Sequence, residues 1–151
     1  MFDEVKKRAL KMLDRRDYSR RELEKKLTEK GEDPDESAAV AEYFESVGLI
    51  DDARYAAMLA RHYASKGCGK GRIQTELYRR GIARELWDTA LAELPETDDR
   101  AYRQFCARMH GAAPERDSIK KAADALYRRG FSWDEIHAAA ERYSNETEEE
   151  N

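Results

Sequence analysis

An all-α fold is predicted by three observations. The composition is 40% charged and 40% hydrophobic with only three prolines, the balance expected of helices with one apolar stripe and solvated remaining faces. Ala, Leu, Glu, Arg and Lys dominate over Val and Ile, which favours helix over sheet. A phrase also recurs: LTEKG at Leu27–Gly31, LYRRG at Leu77–Gly81 and LYRRG at Leu126–Gly130, spaced by 50 and 49 residues. Such a period marks a repeat architecture.

The elements follow from the repeat glycines. Eight residues before each stands Leu23, Ile73 or Ala122, and four before stands Leu27, Leu77 or Leu126, one apolar face of a helix. Nine residues after stands Val40, Ala90 or Ala139, and thirteen after stands Phe44, Leu94 or Tyr143. A second helix therefore follows each glycine. A further helix leads each unit, over about 3–15, 52–66 and 98–110, so nine helices are expected. Asp51 or Asp52, Ser118 and Ser132 are suitable caps.

The glycines act as helix stops, where a left-handed residue closes the last turn without a Cβ penalty. Ile82 and Phe131, one residue beyond Gly81 and Gly130, can fold back on Leu77 and Leu126. Glu32 follows Gly31, so the first stop lacks an apolar clasp and is expected to be looser. The resulting units are 1–50, 51–96 and 97–144, with an acidic disordered tail over 145–151.

SKGCGKGRIQTELYRRGI, Ser65–Ile82, has the look of a phosphate loop but fails as one. Gly71 follows Lys70 where a magnesium-binding hydroxyl belongs, and Ala64 stands where the first glycine should be. Gly67, Gly69 and Gly71 are read instead as a flexible entry to the middle helix.

Catalytic chemistry finds no support: no carboxylate pair, triad or ligand cluster emerges, so no enzyme, metal or cofactor is expected. Cys68 and Cys106 form no CxxC motif and suit a reducing compartment. His62, His110 and His137 are scattered along the chain. The N-terminal MFDEVKKRAL lacks the apolar core of a signal peptide, and no run approaches a membrane span; a cytoplasmic protein is expected.

The net charge is −4, which argues against a chain whose main affinity is for phosphates. Its distribution is blocked. Residues 61–84 hold seven Lys or Arg against one acid, and 85–99 hold six acids and no base. Residues 100–130 hold eight bases against three acids, and 131–151 hold seven acids against one base. Nine, two and one residues before the repeat glycine, the second unit has Arg72, Arg79 and Arg80, and the third has Lys121, Arg128 and Arg129. The first has Glu22, Glu29 and Lys30. The positions nine and two before the glycine lie roughly 130° from the buried stripe and face solvent. Charges confined to two units suggest a basic partner-binding ridge; solvated faces are the plainer alternative. The aromatics Tyr78, Trp87, Tyr127 and Trp133 are assigned to core or inter-repeat packing.

Four stretches, SRRELEKKLTEKG (19–31), GLIDDARYA (48–56), GKGRIQTELYRRGI (69–82) and RRGFSWDEI (128–136), resemble the RecX family of bacterial regulatory proteins, modulators of the RecA recombinase. The resemblance implies three tandem three-helix repeats in an elongated, curved array. It also implies a monomer that binds RecA filaments on DNA, restrains their growth, ATP hydrolysis, strand exchange and coprotease activity, and takes part in DNA repair and the SOS response. Direct contact with single-stranded DNA is compatible with it. Two other classes stay open: an independent helical nucleic-acid-binding protein, and a helical-repeat adaptor for another partner.

Overall fold

The structure, a computed structural model, describes residues 2–150, without the side chains of residues 97 and 98. Within that range the chain folds into nine α-helices and no strand. The first repeat is α1 (Phe2–Arg15), α2 (Arg20–Glu29) and α3 (Pro34–Ser46). The second is α4 (Asp52–Ser65), α5 (Lys70–Arg79) and α6 (Trp87–Ala92), the last entered through a 3₁₀ turn, Arg84–Leu86. The third is α7 (Thr97–Met109), α8 (Arg116–Arg128) and α9 (Trp133–Glu150).

The apolar positions deduced from the repeat are buried in all three copies except at Leu94, which is half-buried. Its helix α6 stops at Ala92, and Pro95 three residues on denies the backbone a further turn. Two compact units result. One contains the residues up to Met58 together with Leu77–Ala90; the other contains Leu59–Glu76 together with Leu91 onward. Val5, Leu23, Leu27, Val40 and Phe44 form the core of the first. Phe105, Leu126, Phe131, Ile136 and Tyr143 anchor that of the second.

Every repeat glycine is a left-handed stop, with φ of 98° at Gly31, 74° at Gly81 and 96° at Gly130. In each, the N–H beyond the glycine donates to the carbonyl five residues back: Glu32 to Leu27 at 3.0 Å, Ile82 to Leu77 at 3.0 Å, Phe131 to Leu126 at 3.2 Å. The first stop is as tight as the others. An ion pair replaces the apolar clasp, because Arg8 lies 3.0 Å from the Glu32 carboxylate and also donates to the Lys30 carbonyl.

The glycine-rich stretch is not a flexible entry. Gly67, at φ 85°, is itself a stop, for α4, with the Cys68 N–H donating to the Tyr63 carbonyl. Gly69 and Gly71 donate their N–H groups to the carbonyls of Arg129 (2.7 Å) and Gly130 (3.0 Å). A Cβ at Gly69 would fall 2.6 Å from the Gly130 carbonyl carbon. Backbone meets backbone there, so side chains are excluded.

The same junction recurs in the first unit with different chemistry. Ser19 precedes Gly31 by the interval at which Gly69 precedes Gly81. Its hydroxyl caps α2 in a capping box with Glu22 and donates to the carbonyl of Arg80 at the end of α5. Each compact unit thus holds one crossing of a second-helix start against the end of the next repeat's second helix.

Asp51 and Ser132 cap α4 and α9, Ser132 in a reciprocal pair with Glu135. Ser118 does not cap α8. Pro114 sits just upstream and Glu115 takes the extended backbone, so the helix has already begun at Arg116.

The acidic segment, expected to fray, continues α9 as helix through Glu150; Asn151 lies outside the described residues. Glu146 accepts from the Tyr102 hydroxyl and from the Arg142 guanidinium, and Thr147 donates to the Tyr143 carbonyl. The Tyr102 and Arg142 bonds hold the Glu146 carboxyl below its ordinary pKa, Tyr102 contributing most. The clip is therefore intact at neutral pH and is lost as pH falls through that lowered value. Tyr102→Phe should speed amide exchange over 145–150 and leave 133–142 protected; uniform exchange along α9 in both proteins would remove the clip.

Candidate partner-binding surface

In the first compact unit, Arg79 is exposed at the end of α5. Arg80 turns the other way and is half-buried. Its guanidinium donates to the Tyr55 hydroxyl at 3.1 Å and lies 3.9 Å from Glu22, itself paired with Arg16 at 2.8 Å. Burial raises the Tyr55 pKa, the Glu22 charge adding to it and Arg80 opposing. Arg80 therefore supports the junction that its own carbonyl forms with Ser19.

In the second unit, Arg72, Lys121 and Arg128 are exposed. Arg72 lies 3.3 Å from Glu76, which is only 6% exposed and also accepts from the Tyr63 hydroxyl. Arg129 repeats the part of Arg80: half-buried, it donates to the Lys66 carbonyl at 2.7 Å while its own carbonyl receives Gly69. Among the six basic residues, the positions nine and two before each glycine face solvent, and the position one before sends its side chain into a junction. A helix turns by about 100° per residue, enough to take adjacent arginines to different environments.

Lys121 and Arg128 line one cleft, with Arg108, His110 and Asp124. Arg108 and His110 escaped the sequence reading because neither has a counterpart at the repeat positions compared. The expected burial of aromatics is also corrected. Tyr78, Tyr127 and Trp133 are 74%, 55% and 46% exposed; the two tyrosines stand three before their glycines, a position off the buried stripe, and Trp133 opens α9 stacked on Tyr127. Trp87 is half-buried and donates its indole N–H to the Ile82 carbonyl at 3.0 Å.

Among the described residues no cluster of His, Cys, Asp or Glu is arranged to hold a metal ion, and no helix is long and apolar enough to cross a membrane.

Comparison with known proteins agrees with the fold. The models of the first and second three-helix domains of RecX match residues 6–44 and 51–91. Regulatory protein RecX of Halorhodospira halophila is 38% identical over 140 residues, 90% of this chain and 86% of that one. Its counterpart in Stenotrophomonas maltophilia is 39% identical over 135 residues, 87% and 82% of the two chains. A crystal structure of RecX from Lactobacillus salivarius shares the fold with a TM-score of 0.80 at 21% identity, covering 93% of this chain and 95% of that one. A second, of regulatory protein RecX, gives 0.83 at 23% identity, covering 93% and 73%. With identity above one third along most of its relatives' length, the chain belongs to the RecX family of regulatory, non-enzymatic proteins.

Proposed function

We propose that this chain is a cytoplasmic monomer that binds filaments of the RecA recombinase on DNA and restrains them. It slows filament growth and lowers ATP hydrolysis, strand exchange and coprotease activity, in the setting of recombinational DNA repair and the SOS response. The observation that carries this reading is the identity to regulatory RecX proteins across four fifths or more of their length.

The basic positions of the second and third repeats supply the chemistry of contact. A recombinase filament on DNA offers acidic protein surface and phosphates together, and exposed Arg and Lys address both. Arg72, Arg79, Lys121 and Arg128 make the contacts, and Arg80 and Arg129 hold the helix ends that present them. Single-stranded DNA is touched directly as well as protein. The chain is organised as three repeats, over 1–50, 51–96 and 97–144, and the second and third carry these contacts.

Titrated into recombinase hydrolysing ATP on single-stranded DNA, the chain should lower the hydrolysis rate. Unchanged hydrolysis at several-fold excess over the recombinase would overturn the reading.

A further inference from the structure

Within the second compact unit, α7 is capped at its C-terminal end by His110, whose φ of 50° is a left-handed conformation unusual for a side-chain-bearing residue. Gly111 follows at φ 76°. His110 and Arg108 form one wall of an open cleft of about 380 Å³, and Lys121, Asp124 and Arg128 of α8 form the other.

Three cations and an imidazole thus surround a single carboxylate. Among the described residues, no carboxylate lies within ion-pair distance of Arg108, Lys121 or Arg128. Arg142 in the same unit shows the contrast, tied at 3.3 Å and 3.1 Å to Asp99 and Glu146. A concave site whose three cations outnumber its single carboxylate, Asp124, and are not ion-paired to it, is suited to an external anion.

The second feature is aromatic. Tyr127, next to Arg128 in the chain and three residues from Asp124 on α8, stacks on Trp133 with ring centroids 4.8 Å apart and planes 15° from parallel. Both rings are about half exposed. An acidic peptide would use the cations and leave this π-surface idle. A nucleotide strand uses both, with phosphate on the cations and a base on a ring face.

We propose that this cleft and the Tyr127–Trp133 pair, which does not line it but follows it at the end of α8, together bind single-stranded nucleic acid, with backbone phosphate held by Arg108, Lys121 and Arg128 and a base of the same strand stacked on the aromatic pair. Asp124 opposes the phosphate, and the three cations outweigh it. This site rests on the direct-DNA part of the proposed function and locates it on the third repeat.

The test uses the full chain without recombinase. Fluorescence anisotropy is read with a labelled oligothymidine, an abasic oligonucleotide of equal length and a polyglutamate peptide. Oligothymidine should bind and quench Trp133 emission, a response absent from Trp133→Phe. The abasic strand should bind at least about fivefold more weakly, since stacking is lost. The double variant Arg108→Glu with Lys121→Glu should bind at least about tenfold more weakly, with a salt slope shallower by about 1.4. Its melting curve should match the parent's, because both positions are exposed.

Absent binding at low salt, equal affinity for the abasic strand, or a preference for polyglutamate would each overturn the site. Recombinase hydrolysis measured in parallel separates the two levels. No oligonucleotide binding with inhibition intact removes the site and leaves the regulatory role; binding without inhibition does the reverse.

Discussion

Gly130→Ala should destabilise the chain far more than Gly31→Ala, although the two glycines share nearly the same φ, 96° and 98°. A left-handed backbone penalises any L side chain by about 1–2 kcal/mol, and both variants incur that loss. The difference lies in space. A Cβ at Gly31 has nothing within 4 Å, whereas one at Gly130 would lie 2.3 Å from the backbone nitrogen of Arg72. That nitrogen begins the fixed helix α5 and cannot retreat as a side-chain tip would. Relief requires the Gly69–Arg129 and Gly71–Gly130 hydrogen bonds to stretch or break, an overpacking cost of a further about 1–3 kcal/mol. Gly130→Ala should lower the melting temperature by roughly 5–15 °C, and Gly31→Ala by about a third of that. Equal shifts would show that the crossing in the second unit is not rigid.

Charge reversal at the exposed basic positions should remove most of the inhibition of the recombinase while leaving the fold intact. Arg79→Glu and, in a second protein, Lys121→Glu with Arg128→Glu change exposed side chains. Arg72 is a poorer target. Its reversal would set a second carboxylate against Glu76, which is nearly buried and keeps Tyr63 as a partner, so lost stability would obscure lost binding. Each reversal should weaken filament binding by about tenfold at low salt and make the remaining affinity less salt-sensitive, because long-range attraction has gone. Undiminished inhibition by both proteins at physiological salt, with parental melting curves, would make these positions solvated faces.

What the residues disclosed, they disclosed through period. The 50- and 49-residue spacings placed Leu27, Leu77 and Leu126 on one buried face, and the glycines that end those helices are left-handed in the fold. Local rules sufficed because a helix stop is decided by a handful of consecutive residues. Long-range partners were illegible for the corresponding reason. Nothing near Gly69 or Gly71 in sequence signals that their backbone lies against Gly130, and nothing near Glu32 signals Arg8. The tail misled through composition. Its glutamates read as disorder until Tyr102 and Arg142 are seen to fasten Glu146.

The basic surface was half legible. Comparing repeats singled out Arg72, Arg79, Lys121 and Arg128 as solvent-facing, and they are. The same comparison could not show that Arg80 and Arg129 turn into junctions, because which way a flanking arginine folds depends on Tyr55 and on the Lys66 carbonyl. Tyr127 and Trp133 were misplaced because large aromatics are usually buried, and the stack that leaves them exposed joins residues of two different helices.

The central claim is that this chain restrains a recombinase filament. Its most direct test is the rate of ATP hydrolysis by RecA on single-stranded DNA while the chain is added in amounts well below the recombinase. Regulation of a filament predicts a progressive fall in hydrolysis at ratios far too low to cover either every protomer or the DNA. A rate that stays constant until the chain is present in quantities able to sequester the DNA would contradict it.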